Sequence, residues 1–336
     1  MAKYQNLDKS RYEGCLVGGA IGDALGAPLE FLTSEQIKEN YGKVTDYVKA
    51  LPKHPFYNFN PGQYTDDTQM TLIMAKSIID KNGFDREDFA SKLGECYKKK
   101  EFRSLGSTCR KACRALSKGK SSEESGIYNA AGVGSAMRAS PIGLFHNFLD
   151  QSSNKSFIYN CEDSTRLTHN SYHAIAGTTA VALSILYLKQ YKIAEMDKFL
   201  DSIEKFVGSI ELMKRRNDEK LIEDGLNSKI LALKQLIGMP YEKGIKKIGN
   251  SGYVLEAVPA AIYAFIKSPD DFEKTVINAV NSGGDADTIA SIAGALSGAY
   301  NGIENIPKRF KENLENLEEI ISLADKLFER SVNKIN

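Results

Sequence analysis

Residues 14–26 read "GCLVGGAIGDALG", with Gly14, Gly18, Gly22 and Gly26 at every fourth position. Residues 294–302, "GALSGAYNG", repeat the spacing with Gly294, Gly298 and Gly302. On a helix, residues four apart share a face, so each set draws a stripe without side chains. Each glycine costs roughly 1 kcal/mol relative to alanine in a helix interior. Something must offset that cost. Close approach of another helix is the simpler explanation, and access of a ligand to the backbone is the sharper one.

The rest of the chain supports a helical reading. "TLIMAKSIID", "REDFASKLGECY", "HAIAGTTAVALSILYL", "DKFLDSIEKFV", "NSKILALKQLI", "LEAVPAAIYAFI", "DTIASIAGALSGAY" and "LEEIISLADKLFERSV" all repeat apolar residues at intervals of three and four. Alternating strand patterns are scarce. The expectation is a mostly or wholly α-helical protein, with the polar stretches 118–131 and 147–158 as surface loops. Pro28 should end the first helix near Gly26 or Ala27.

The chain has 336 residues, 42% of them hydrophobic, enough for a sizeable core. Length alone favours two domains, but no linker divides the sequence and no fixed-period repeat appears. Lys and Arg number 44 and Asp and Glu 43. That balance offers no general argument for nucleic acid or an anionic membrane, and no dedicated nucleic-acid patch is expected. The five cysteines, Cys15, Cys96, Cys109, Cys113 and Cys161, form no Cys-x-x-Cys pair. They read as free thiols in a reducing compartment. The N-terminus "MAKYQNLDKS" lacks an apolar secretory core, and the apolar run Ala180–Leu188 is too short to span a bilayer. A cytoplasmic monomer is expected.

Chemistry concentrates in a few segments. "TDDT", Thr65 to Thr68, stands at the start of an apolar helical run. Capping explains one or two such residues, because Thr and Asp accept from free backbone amides there. "GGDADT" places Asp285, Asp287 and Thr288 after Gly283-Gly284, again at a helix start. If the two helix starts converge, four carboxylates and several hydroxyls face one point. Unpaired, they repel one another; hard divalent cations would neutralise them. An all-oxygen ligand set favours Mg²⁺, Mn²⁺ or Ca²⁺ over zinc. Asp23 and Glu30 follow the first glycine stripe, Glu30 on an irregular segment where functional groups are often displayed. In "GVGSAMR", Gly132, Gly134 and Ser135 read either as a plain turn or as backbone amides offered to a phosphate, with Arg138 as a neighbouring cation. His169 and Tyr253 each read as opening a helix.

Together these segments resemble the ADP-ribosylglycohydrolase family. The matching stretches are "GCLVGGAIGDALGAPLEF", "YTDDTQMTL", "GVGSAMRASPIG", "LTHNSYHAIAGTTA", "SGYVLEAVPAAIYAF" and "NSGGDADTIASIAGALSGAYNG", in the family's order from residue 14 to about 302. The resemblance implies an all-α fold, a compact single-domain orthogonal helical bundle over residues 1–336. It implies hydrolysis of the bond between ribose C1″ and an acceptor atom, with release of ADP-ribose. By position, Thr65, Asp66, Asp67, Asp285, Asp287 and Thr288 match ligands of two Mg²⁺ ions, with Mn²⁺ as an alternative. Glu30 matches a glutamate that contacts metal in serine-type members. The resemblance places Gly132, Gly134, Ser135 and Met137 around the diphosphate. It places His169 near the distal phosphate or ribose, Tyr253 near adenine, and Ser282, Gly283 and Gly284 at the site's border. Asp67 or Glu30 would act as general base on the attacking water. The implied partner is an ADP-ribosylated protein or a small ADP-ribose conjugate.

The chain departs from the family in two places. Val133 stands where Gly-Asn-Gly is common, and Asn129-Ala130-Ala131 replaces the serine-type Gly-Ser-Tyr. "EAVPAAIYAF" and "YKKK" look serine-type, so the acceptor stays open between serine, arginine, ester, polymer and nucleic-acid end. Two rival readings use the same residues: a two-metal nucleotide phosphohydrolase, and a non-catalytic ADP-ribose-binding protein.

Overall fold

Backbone contact between the two glycine stripes sets the architecture. The structure is a computed structural model that describes residues 7–147, 151–191, 196–214 and 225–333. The first stripe lies on helix Lys9–Gly26 and the second on helix Ala286–Asn301. They run antiparallel, Gly14 against Gly298, Gly18 against Gly294 and Gly22 against Ala290. A Cβ on Gly18 would sit 2.4 Å from the Gly294 carbonyl oxygen, and one on Gly22 would sit 2.0 Å from that of Ala290. No side chain fits there, so the glycines serve close helix approach. Gly302 ends its helix at φ 81° and still packs on the first helix, its carbonyl carbon 2.8 Å from where a Gly14 Cβ would be.

The other elements wrap this pair. Helices Tyr172–Leu188, Val254–Ile266 and Phe272–Val280 pack on helix 286–301. Helix Leu317–Asn333 packs on helix 9–26 and on helix Asp66–Lys81. In helix 172–188 every residue but Tyr187 is buried, as an all-round apolar helix must be. One hydrophobic cluster runs from Tyr12 to Leu327. Among the described residues, strand is confined to Ile127–Tyr128, paired in parallel with His169–Asn170. No described helix is long and apolar enough to cross a membrane.

Pro28 ends the first helix as expected, and a 3₁₀ turn Ala27–Leu29 follows. Two expectations need correction. The stretch 147–158 is not a loop throughout, because helix Gln151–Arg166 begins within it. Phe157 and Cys161, four apart and both buried, supply the apolar stripe that its polar composition concealed. His169 does not open a helix; it lies in the short strand pair, and the next helix starts at Tyr172 behind a Ser171 cap.

Candidate active site

The antiparallel glycine contact ends where Gly26 backs onto Asp287. A Cβ on Gly26 would lie 2.4 Å from the Asp287 Cα. The end of the first helix therefore meets the start of helix 286–301. One turn earlier, Asp23 is fully buried and its carboxylate reaches a third element. It accepts from the Thr65 amide at 3.0 Å, the Thr68 amide at 2.9 Å and the Thr68 hydroxyl at 2.6 Å. Asp23 thus caps helix 66–81 from across the interface, satisfying amides that the helix cannot satisfy itself. Register and cap together bring both Asp-Asp-Thr clusters to one place.

Carboxylate oxygens of Glu30, Asp285 and Asp287 all lie within 4.8 Å of one another. Asp66, Asp67 and Asp287 are buried and held well above the usual carboxylate range. Burial is the main cause. Negative neighbours follow: Asp23 acting on Asp66 and Asp67, and Glu30 and Asp67 acting on Asp287. The same causes push Glu30 up to about 8, burial first and Asp285 second. Burial pushes Asp285 up to about 6. Some of the carboxylate valences are spent locally: Asp287 Oδ1 accepts from the Thr288 amide at 2.9 Å. Asp67 Oδ1 is buried with no hydrogen-bond partner among the described residues. A hard cation satisfies such an orphan oxygen and reverses the repulsion. The donor set therefore fits divalent cations held by oxygen.

Glu30 stands on a segment fixed from three sides. His54 Nε2–H donates to its carbonyl at 2.8 Å. The Phe31 amide donates to the Gly284 carbonyl at 2.9 Å, and the Gly284 amide returns to the Leu32 carbonyl at 2.8 Å. Phe31 itself takes φ 67°, an uncommon conformation for a bulky residue that these bonds enforce. Gly283 and Gly284 adopt φ 70° and 73°, and a Cβ on Gly284 would lie 2.2 Å from the Asn250 carbonyl oxygen. Asn250 accepts from the Asp285 amide at 2.8 Å and donates to the Ser282 and Gly283 carbonyls. Ser282 stands directly before these glycines, its hydroxyl donating to the Asn278 carbonyl.

The glycine loop lies opposite Tyr253. Gly132 bridges Tyr253, the Val133 amide donates to the Gly252 carbonyl at 2.9 Å, and the Val254 amide donates to the Ala131 carbonyl at 3.0 Å. Val133 turns its side chain into the core. Ser135 and Met137 are buried, and Ser135 Oγ has no partner among the described residues. Tyr253 is 38% exposed.

Arg138 is not the cation of this loop. It is buried, donating to the Gly134 carbonyl at 2.6 Å, the Ser164 carbonyl at 3.0 Å and the Thr168 hydroxyl at 2.7 Å. The Thr168 hydroxyl, accepting from Arg138, is also hydrogen-bonded to His169 Nδ1 at 2.8 Å. His169 is buried, and desolvation with Arg138 nearby pushes it down to about 3. A neutral ring that accepts at Nδ1 carries its hydrogen on Nε2. That edge faces the loop: a Cβ on Gly132 would lie 3.3 Å from Nε2, and one on Gly134 would lie 3.0 Å from Cε1.

The structure thus gathers the acidic residues into one cluster and the glycine loop, His169 and Tyr253 into a second group. Sequence reasoning missed Asp23 as the cross-helix cap, although "GDALG" displayed it. It also missed His54, Asn250 and Thr168, which hold other residues and carry no motif of their own.

Comparison with known proteins identifies the family. The ADP-ribosylglycohydrolase family signature matches residues 5–335. An uncharacterized protein of Archaeoglobus fulgidus is 35% identical, over 96% of this chain and 97% of its own. ADP-ribosylhydrolase ARH3 of Mus musculus is 28% identical, over 95% of this chain and 91% of its own. ADP-ribosylarginine hydrolase Tri1 of Serratia proteamaculans is 30% identical, over 96% and 80%. A solved structure described as an ADP-ribosylglycohydrolase-related protein complex superposes with TM-score 0.74 at 27% identity, covering 96% of this chain and 98% of that one. The chain belongs to the ADP-ribosylglycohydrolase family and is an ADP-ribosyl hydrolase of that class.

Proposed function

We propose that this enzyme hydrolyses the C1″ bond between the distal ribose and a protein side chain or small ester, releasing ADP-ribose in a magnesium-dependent reaction. The observation that carries the reading is the convergence of two Asp-Asp-Thr helix starts and Glu30 on one point, with the glycine loop as a second binding element. Thr65, Asp66, Asp67, Asp285, Asp287 and Thr288 would hold two divalent cations, Mg²⁺ by donor hardness, which when bound supply charge neutralisation and orient the ribose diol.

The chain's own groups divide the remaining work. Glu30 is partly buried, so it reaches both the carboxylate cluster and the site's mouth. It takes the proton of the attacking water as general base, a role that its partial exposure beside the carboxylate cluster permits. Asp67 is more deeply buried and serves as a ligand, through the oxygen left without a protein partner. His169 Nε2–H donates to the diphosphate as a neutral ring, and Tyr253 offers its exposed ring to adenine.

Relatives of similar identity carry an ADP-ribosylarginine name and a general ADP-ribosylhydrolase name, so the linkage is assigned by assay. Release of ADP-ribose from arginine-, serine- and ester-linked substrates, with magnesium and then EDTA, tests the proposal. Magnesium-dependent release from one linkage supports it. Magnesium-dependent ADP-ribose binding without release from any linkage refutes the hydrolytic reading and leaves a binding protein.

A further inference from the structure

Between residues 98 and 120 nine lysines and arginines stand against a single acid, Glu101. The balanced sum over the chain hides this segregation. Eight of the nine are exposed, and none of those eight joins an ion pair among the described residues. The ninth, Arg103, is paired with Glu315 at 2.8 Å. Arg110, Arg114 and Lys118 follow one another at intervals of four on and beyond helix Ser107–Ser117. Like charges so spaced repel, and no carboxylate among the described residues pairs with them.

The patch adjoins the active site on two sides. The Glu101 carbonyl accepts from Gln69, and Arg103 donates to the Tyr64 carbonyl at 2.9 Å, which ties its first strand of chain to the "TDDT" helix. The inner face of helix 107–117 carries Cys109, whose sulfur lies 2.8 Å from where a Gly134 Cβ would be. The outer face carries the cations. A cavity of about 400 Å³ is lined by Lys98, Lys100 and Arg110 together with the half-buried rings of Tyr97 and Phe102, each packed on the core along one side.

We infer that this surface docks a single-stranded nucleic acid beside the active site. Cations along a helix face track a phosphodiester backbone, and aromatic rings among them supply stacking faces for bases. An acidic peptide would use the cations and have no use for the rings. The inference goes beyond the proposed reaction, and its test involves no hydrolysis.

A fluorescein-labelled 20-nucleotide single strand is titrated with the full chain and followed by anisotropy. Three phosphate contacts predict about 20-fold weaker binding when salt rises from 50 to 200 mM. A triple variant, Lys98→Glu, Arg110→Glu and Arg114→Glu, should lose at least about tenfold in oligonucleotide affinity while keeping wild-type calorimetric binding of ADP-ribose with magnesium, which shows that it is folded. Phe102→Ala should weaken binding with no change in the salt slope. Equal oligonucleotide affinity in the triple variant overturns the inference. So does tighter binding of a glutamate-rich peptide of equal charge, which would assign the surface to an acidic protein.

Discussion

Replacing Gly18 by alanine isolates the contact that builds both fold and site. The new Cβ would meet the Gly294 carbonyl oxygen at 2.4 Å and Phe272 Cε2 at 2.9 Å. The phenyl ring can turn; the carbonyl is backbone. Ordinary contact begins near 3.4 Å, so the two helices must part by about 1 Å at this point. Alanine gains up to about 1 kcal/mol of helix propensity over glycine. Overpacking a tight core costs about 1–3 kcal/mol, and an unyielding backbone obstacle places this case at the upper end. A net loss of about 2 kcal/mol is expected. Gly19 is the control, on the same helix one residue on, where an added Cβ finds its nearest atoms at an ordinary 3.5 Å. Gly19→Ala should gain about 0.5–1 kcal/mol. Urea unfolding followed by circular dichroism measures both. The site adds a second readout, because displacement of about 1 Å can lower turnover about 100-fold. Gly18→Ala should lose magnesium-dependent ADP-ribose release even under conditions where it is folded. If the two variants shift the urea midpoint in the same direction, backbone packing through the glycine stripe is not what holds these helices together.

Other predictions address the site. Asp287→Asn removes one of several repelling buried acids, so its melting temperature in EDTA should equal or exceed that of the wild type while stabilisation by magnesium and turnover both vanish; retained magnesium stabilisation in differential scanning fluorimetry would count against the cation site. Glu30 and Asp285 are raised in the folded protein, to about 8 and about 6. Their contribution to stability is therefore complete below the unfolded carboxyl range and is lost as pH rises through those values. In EDTA the melting temperature should fall between about pH 5 and 8, and magnesium should flatten that slope; a rising profile would contradict the assigned shifts. Asp23→Ala loses the bonds that cap helix 66–81 and should lower stability by about 1–3 kcal/mol by urea unfolding, together with magnesium affinity by calorimetry. Thr168→Val should mix the two His169 tautomers in ¹⁵N-resolved imidazole NMR and weaken ADP-ribose binding, whereas Thr168→Ser should preserve both; an unchanged spectrum in the valine variant would remove Thr168 from that role.

Much of this protein is determined by local sequence. Helical periodicity at three and four marks eight of the sixteen described α-helices, and the four-residue glycine spacing announces a backbone contact before any partner is known. "TDDT" and "GGDADT" announce helix starts crowded with acids, since capping chemistry acts over three residues and needs no fold. Tertiary structure decided the rest, because it concerns which distant groups meet. Nothing local says that Gly18 faces Gly294, or that this antiparallel register ends with Gly26 against Asp287. Asp23 looks like one more acid until its carboxylate is found on the amides of Thr65 and Thr68. Arg138 looks like a phosphate ligand in "GSAMR" until burial turns it inward to the Gly134 carbonyl and the Thr168 hydroxyl. A side chain's type is written in the sequence; its direction and partners follow from packing, which only the assembled chain supplies.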